Sequence, residues 1–156
     1  VRTGRDVDRI RELETMQELD FVMETVRRTR REIPEDIPVI GFSGAPFTLA
    51  SYIIEGGASR NYLLTKQLMY TDPGAWRTLL EKLARAITRY LNDQIAAGAQ
   101  AVQLFDSWVG CLGPDDYKRC RSCSRFSRAS SLACRSSISA PAILPCYHSM
   151  LKVAAR

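Results

Sequence analysis

The sequence lacks cysteine before residue 111, lacks long apolar runs and lacks acidic residues after Asp116. No apolar run approaches the ~18–20 residues that a membrane-spanning helix needs, so we expect no membrane partner. The opening nine residues, VRTGRDVDR, are charged, which predicts that no secretory signal is present. Because a body without cysteine needs no disulfides, its expected location is cytoplasmic.

The charges divide the chain in two. Residues 1–116 contain all 17 acidic and 14 of the 22 basic residues, a net charge of −3. Residues 117–156 contain the other 8 basic residues and no acid, so the overall charge of +5 comes from the last 40 residues. This split argues against one continuous nucleic-acid-binding face, and we expect no nucleic-acid partner. It favours two segments of different origin.

The first three quarters of the chain alternate helical and strand patterns. Leu19, Val22 and Val26 recur at helical spacing, and Pro34 ends that pattern. Asp72-Pro73 has the form of an N-cap followed by a first-turn proline, and an apolar stripe follows it through Leu79, Leu83, Ile87 and Leu91. Together the patterns predict a charged approach segment over 1–14, helices over 15–33, 47–55, 61–69 and 73–97, and buried strands over 38–42 and 99–105.

Two buried strands joined by a long helical crossover indicate the α/β class with parallel pairing. In barrels of parallel strands the carboxyl ends of the strands carry the active site, which nominates residues 42–46 and 105–108. A closed barrel needs about eight strands and ~200–250 residues. The pattern therefore predicts an interior slice of a larger barrel.

Two long motifs cover these strand ends, GFSGAPFTLASYIIEGG at 41–57 and AGAQAVQLFDSWVGCLGP at 97–114. With the helices between them and the opening VRTGRDVDRIR, they resemble the uroporphyrinogen decarboxylase family over about residues 1–119. The resemblance implies a partial (β/α)8 TIM barrel, with about two parallel strands and their crossover helices. It also implies decarboxylation of the acetate side chains of uroporphyrinogen III to coproporphyrinogen III, in haem and tetrapyrrole biosynthesis.

The resemblance also implies which residues meet the substrate. Tyr52 matches the family's substrate-contacting tyrosine, Ser107 a substrate-binding hydroxyl position, and Phe42 an aromatic of the cleft wall. The family works without metal or organic cofactor, usually as a homodimer in the cytoplasm. The family's catalytic aspartate, arginines and histidine are expected outside this chain. We therefore expect the chain to supply walls and hydroxyl donors only, and to be inactive alone.

Each of these residues also has a purely structural interpretation. Tyr52 fits a half-buried helix tyrosine, Ser107 a hydroxyl bonded within its own turn, and Phe42 an ordinary core residue. Asp106, at a strand end, can act as a general acid or base, or can face the next helix; the sequence leaves its direction open. Gly56-Gly57 fits a helix stop, and without a G-x-G-x-x-G pattern we infer no dinucleotide site.

Residues 120–156 form a basic tail that departs from the family pattern. Residues 120–140 contain 8 Ser, 4 Arg and 3 Cys, without hydrophobic periodicity, which is typical of a segment that packs poorly. One hypothesis is a shift of the reading frame near Arg119, and a second is a genuine but divergent ending. A third is a zinc site on a basic nucleic-acid-binding arm, with ligands Cys120, Cys123, Cys134, Cys146 and His148.

Two further functions stay open at this point. A cobalamin-linked methyltransferase of the same superfamily resembles this fold, but it needs a zinc-binding His and Cys set that residues 1–119 do not contain. A non-enzymatic module centred on the basic tail would bind zinc or nucleic acid.

Overall fold

The computed structural model describes residues 1–12, 15, 17–57 and 59–123. They form α1 (Gly4–Arg9), α2 (Asp20–Glu32), β1 (Ile40–Gly44), α3 (Pro46–Glu55), α4 (Leu63–Thr71), α5 (Pro73–Ala96), β2 (Ala101–Phe105) and α6 (Pro114–Cys123). Short 3-10 turns cover Gln17–Leu19 and Val109–Cys111. None of the helices described combines the length and apolar character that crossing a bilayer requires.

β1 and β2 pair in parallel, with Ile40 opposite Ala101 and Gly44 opposite Phe105. Helices α3, α4 and α5 make the crossover between them, as a parallel pair requires. The α/β class and the parallel pairing predicted from the sequence are therefore confirmed. Within the described residues the two strands form a two-stranded sheet, and no closed barrel is seen.

Among the described residues, helices cover one face of the sheet and leave the other open. Gly41 and Ser43 are buried, whereas Ile40 and Phe42 on the opposite face are 59% and 62% exposed. The prediction that the first strand is buried is thus correct for the face with Gly41 and Ser43 and wrong for the face with Ile40 and Phe42. A short apolar run gives no signal that distinguishes burial on one face from burial on both. β1 also lies two residues later than predicted, because pairing with β2, rather than the apolar run, sets its limits.

Gln94 fastens α5 to β1. Its side-chain oxygen accepts from the Phe42 N–H at 3.0 Å, and its amide nitrogen donates to the Phe42 carbonyl at 3.1 Å. A Cβ on Gly41 would lie 2.6 Å from that Gln94 oxygen, so glycine is needed for the close approach. Gln94 is 3% exposed, so its two bonds satisfy strand groups that water does not reach easily.

The main core lies between α3, α4, α5 and α1, on the covered side of the sheet. Leu79 and Leu80 of α5 are at most 1% exposed, and Phe47 packs edge-on against Trp76 with ring centroids 6.0 Å apart. A second cluster on α5 (Ala84, Ile87 and Leu91) packs against the sheet. The predicted apolar stripe of this helix is therefore the surface that joins the two cores.

Local signals end and start several of these helices as predicted. The Asp72 carboxylate accepts from the Ala75 N–H at 2.9 Å, and Pro73 occupies the first turn of α5. Gly56 ends α3 with φ of +74°, a conformation that costs glycine little. The predicted helix over 15–33 is shorter than expected, since α2 begins only at Asp20 after a 3-10 turn.

The boundary predicted at residue 119 falls inside α6, which continues to Cys123. Cys120 is 6% exposed and packs with the main core. The rest of the predicted tail, from residue 124, lies outside the described residues, as do the suggested zinc ligands Cys134, Cys146 and His148. Among the side chains described, no cluster of three or more His, Cys, Asp or Glu that could hold a metal ion is found.

Candidate functional site

The carboxyl ends of β1 and β2 lie side by side. The N–H of Ala45, which follows β1, donates to the carbonyl of Phe105 at 2.7 Å, so the pairing extends to the last residue of β2. From there one strand leads into α3 and the other into residues 106–108. The two regions nominated from the sequence, 42–46 and 105–108, are therefore brought together at one end of the sheet.

Two aromatic rings cover the open face of the sheet near this end. Phe42 and Phe105 meet edge to face, with ring centroids 6.0 Å apart and planes at 76°. They are 62% and 45% exposed. An edge-to-face pair is held by complementary quadrupoles, so these rings form a defined apolar surface and not two independent side chains.

A second aromatic group stands beside the first turn after β2. The Trp108 ring contacts Tyr52 of α3 edge to face at 6.0 Å and Tyr62, just before α4, at 5.7 Å. Tyr62 is 8% exposed, whereas Tyr52 is 51% exposed. Trp108 therefore joins a buried tyrosine to one whose ring edge reaches solvent.

Tyr62 is held by the turn that follows α3. Its N–H donates to the Ser59 hydroxyl at 3.1 Å, and its φ of 51° lies in the left-handed region. Glu55 accepts from both the N–H and the hydroxyl of Thr65 at 2.9 Å, which fixes the start of α4. Burial disfavours the Glu55 carboxylate, but these hydrogen bonds outweigh it and the pKa of Glu55 is lowered.

The Asp106 side chain contacts α3, the helix that follows the neighbouring strand β1. The Thr48 hydroxyl donates to Asp106 Oδ1 at 2.9 Å. Burial raises the pKa of the Asp106 carboxyl, and hydrogen bonding from Thr48 offsets part of this rise. Asp106 thus joins the end of β2 to the first turn of α3.

The three residues predicted to meet substrate lie around one short segment, 105–108. Phe105 contacts Phe42, Trp108 contacts Tyr52, and the exposed Ser107 lies between these two contacts in the chain. Tyr52 and Ser107 each carry a hydroxyl, and Phe42 carries an exposed apolar ring.

Residues 1–123 match the family model described as uroporphyrinogen decarboxylase. The chain belongs to the uroporphyrinogen decarboxylase family. Curated uroporphyrinogen decarboxylases of Carboxydothermus hydrogenoformans and Thermus thermophilus are 56% and 51% identical to it over 119 residues, which are 76% of this chain and 34% of each relative. That of Idiomarina loihiensis is 56% identical over 101 residues, 65% of this chain and 28% of the relative.

This membership confirms the family predicted from the two motifs. The chain spans about a third of the length of the uroporphyrinogen decarboxylases just named. Sequence reasoning missed the contacts of Thr48 with Asp106 and of Trp108 with Tyr52. Their positions in the sequence could have indicated these contacts. Thr48 lies in the first helical turn after one strand and Trp108 just after the other, and neighbouring parallel strands bring these two turns together.

The shifted carboxyl of Asp106 predicts an unusual dependence of stability on pH. Its raised pKa means that the folded chain holds this proton to a higher pH than the unfolded chain. The stability contributed by Asp106 is therefore complete below its ordinary value of 3.8 and is lost as the pH rises through the folded value. In Asp106→Asn this loss disappears, so the variant gains stability relative to the parent chain as the pH rises to neutrality.

Urea unfolding of both chains at a series of pH values measures this difference. Asp6→Asn is a control of opposite sign. The backbone N–H of Arg2 and the Thr3 side chain lower the pKa of Asp6, so its contribution is present above 3.8 and is lost on acidification. Asp6→Asn should therefore lose stability relative to the parent as the pH rises. Parallel curves for Asp106→Asn and the parent chain would contradict the prediction.

Proposed function

We propose that this chain takes part in the decarboxylation of the acetate side chains of uroporphyrinogen III to coproporphyrinogen III, and that it forms one side of the substrate cleft. The observation that supports the proposal is that Phe42 contacts Phe105 and Tyr52 contacts Trp108, on either side of the exposed Ser107 in the segment that follows β2. The family membership supplies the reaction. The cobalamin-linked methyltransferase and the zinc or nucleic-acid module are not favoured by these relatives.

The site offers two kinds of contact to a tetrapyrrole with acidic side chains. The exposed Phe42 and Phe105 rings provide an apolar wall for pyrrole rings. The hydroxyls of Tyr52 and Ser107 can each donate to a substrate carboxylate, and a hydrogen bond to an ionised acceptor is stronger than one between neutral groups. In the described residues no hydrogen bond involves the Tyr52 hydroxyl, so it is available as a donor.

Loss of carbon dioxide from a pyrrole acetate leaves an electron pair that the ring must accept. Protonation of a pyrrole carbon makes the ring an electron sink, and a carboxylate near the ring stabilises the resulting cation. Guanidinium groups suit the remaining substrate carboxylates. We propose that these charged groups come from family positions outside this chain, with Phe42, Tyr52 and Ser107 as binding groups.

The same resemblance supports the larger assembly that we propose. In it β1 and β2 are two strands of a (β/α)8 barrel, and the enzyme is a homodimer in the cytoplasm without a metal or organic cofactor. The exposed face of the sheet, with Ile40 and Phe42, is the face that such a barrel would enclose. We also predict a family segment over 1–119 and a separate tail over 120–156. Translation of the gene in all three reading frames through the Arg119 codon would test this division.

A chimeric enzyme tests the proposed function. The matched 119-residue stretch of the Carboxydothermus hydrogenoformans relative is replaced by that of this chain, with which it is 56% identical. We expect the chimera to form coproporphyrinogen III from uroporphyrinogen III under anaerobic conditions, with the unaltered relative as the positive control. A chimera that folds like the parent by circular dichroism but forms no product would overturn the proposal.

A further inference from the structure

The Tyr52 ring makes one aromatic contact among the described residues, with Trp108. Tyr52 is 51% exposed, and in the described residues its hydroxyl takes part in no hydrogen bond. The edge-to-face contact with Trp108, with planes at 81°, is the aromatic contact that its ring makes there. A half-exposed tyrosine without this contact would sample several rotamers. Whatever fixes Trp108 therefore also fixes Tyr52.

Trp108 is itself held by its backbone and by packing. Its N–H reaches the Thr48 hydroxyl oxygen at 3.5 Å, and its ring packs on the buried Tyr62. The Trp108 indole nitrogen is buried and has no hydrogen-bond partner within the part of the chain described. The indole is thus placed by neighbours on two sides and not by a polar bond of its own.

The Thr48 hydroxyl connects these elements with both of its hydrogen-bonding functions. It donates to Asp106 at 2.9 Å and accepts from the Trp108 N–H. Thr48 is 4% exposed, so water does not replace these bonds easily. Thr48 and Tyr52 are four residues apart on α3, so they lie one turn apart on one side of the helix. Residues 106–108 therefore meet α3 at two successive turns.

We propose that Thr48, Asp106 and Trp108 form a positioning linkage that fixes the phenol of Tyr52 for its contact with substrate. The inference rests on the binding role proposed above for Tyr52. Asp106 accepts a hydrogen bond from the Thr48 hydroxyl, which holds the turn after β2. The Thr48 oxygen accepts one from the Trp108 N–H, and the indole orients the Tyr52 ring. These three are positioning residues, because they act through Tyr52.

The placement of Tyr52 is tested by NMR on the full chain with isotope-labelled tyrosine. Thr48→Val keeps the shape of the side chain but removes both hydrogen bonds, and Thr48→Ser restores the hydroxyl. Trp108→Leu is the reference variant, because it shows where the Tyr52 ring signals lie when the indole is absent. We expect the Tyr52 signals of Thr48→Val to shift towards those of Trp108→Leu, and those of Thr48→Ser to return towards the parent position.

A matched control removes a threonine hydroxyl elsewhere. Thr78 of α5 donates to the Gly74 carbonyl at 3.1 Å, and within the described residues no hydrogen bond joins it to Thr48, Asp106 or Trp108. Thr78→Val should leave the Tyr52 signals in place. If Thr48→Val is folded and its Tyr52 signals stay at the parent position, the positioning inference is overturned. If Thr48→Val does not fold, the χ1 rotamer of Tyr52 in Trp108→Leu decides, because loss of the indole ring current moves the Tyr52 signals in any case. Scalar couplings report this rotamer, and the same rotamer population as in the parent chain overturns the inference.

Titration of the full chain with uroporphyrin III, the stable oxidised form of the proposed substrate, separates this inference from the proposed function. Tyr52→Phe and Thr48→Val should each weaken binding about tenfold, the loss of one charge-assisted hydrogen bond. The double variant should bind no more weakly than Tyr52→Phe. Fully additive losses would show that Thr48 acts independently of Tyr52. Unchanged binding by Tyr52→Phe would refute the proposed role of the phenol, while the NMR shifts still decide the positioning.

Discussion

Tyr52→Phe in the chimeric enzyme is expected to lower kcat/KM for uroporphyrinogen III by about 10- to 100-fold. A hydrogen bond to a charged group contributes about 1.5–3 kcal/mol, and each 1.4 kcal/mol is about a factor of ten. The substitution removes only the phenol oxygen. The ring keeps its contact with Trp108, so the fold of this end of the sheet should not change.

Tyr70→Phe is the matched control for this variant. Tyr70 is 56% exposed, close to the 51% of Tyr52, but its hydroxyl donates to Asp116 at 2.6 Å in a contact between α4 and α6. Its loss should affect stability slightly and leave kcat/KM near the parent value. Steady-state assays under anaerobic conditions compare the two. Equal losses of kcat/KM would mean that Tyr52 is an ordinary surface tyrosine and that the binding role assigned to it is wrong.

Local signals in the sequence were enough to place the long crossover helix. The apolar stripe and Asp72-Pro73 predicted a helix over 73–97, and α5 covers Pro73–Ala96. Both ends are determined by neighbouring residues, since Asp72 caps the first turn and Gly98, with φ of +115°, follows the last. Such information is contained within a few residues of the sequence.

The first strand shows what local signals cannot give. Its apolar run predicted residues 38–42, yet the strand covers Ile40–Gly44. The pairing that sets these limits involves residues about 60 positions away, and it places Ile40 opposite Ala101. Whether the face with Ile40 and Phe42 is covered depends on elements other than the strand itself. The apolar residues at 38–42 therefore determine neither the limits of the strand nor the burial of this face.

The candidate site has the same division between local motif and long-range contact. The motifs identified Phe42, Tyr52 and Ser107 because each residue of a motif can be matched to one position of the family pattern. The bond between Thr48 and Asp106 joins residues 58 positions apart and exists only when two parallel strands end side by side. Sequence reasoning therefore located the groups proposed to meet substrate, but not the groups proposed to position Tyr52.

Leu79→Ala in the full chain is expected to lower the free energy of unfolding by about 3 kcal/mol, within the range for fully buried leucines. Leu79 is 0% exposed and lies in the core that joins α1, α3, α4 and α5. Its removal leaves a cavity among rigid neighbours such as Trp76, and the surrounding helices can close this cavity only partly. Urea unfolding followed by far-UV circular dichroism measures the change.

Leu63→Ala is the same chemical change at a surface position. Leu63 begins α4 and is 68% exposed, so its truncation should cost less than about 0.5 kcal/mol. The difference between the two variants isolates the contribution of the buried site, because both lose the same atoms from one leucine. If the described core is correct, Leu79→Ala unfolds at a clearly lower urea concentration than Leu63→Ala. Coincident unfolding curves would show that Leu79 is not in a packed core, and the arrangement of α3, α4 and α5 that supports the site would be wrong.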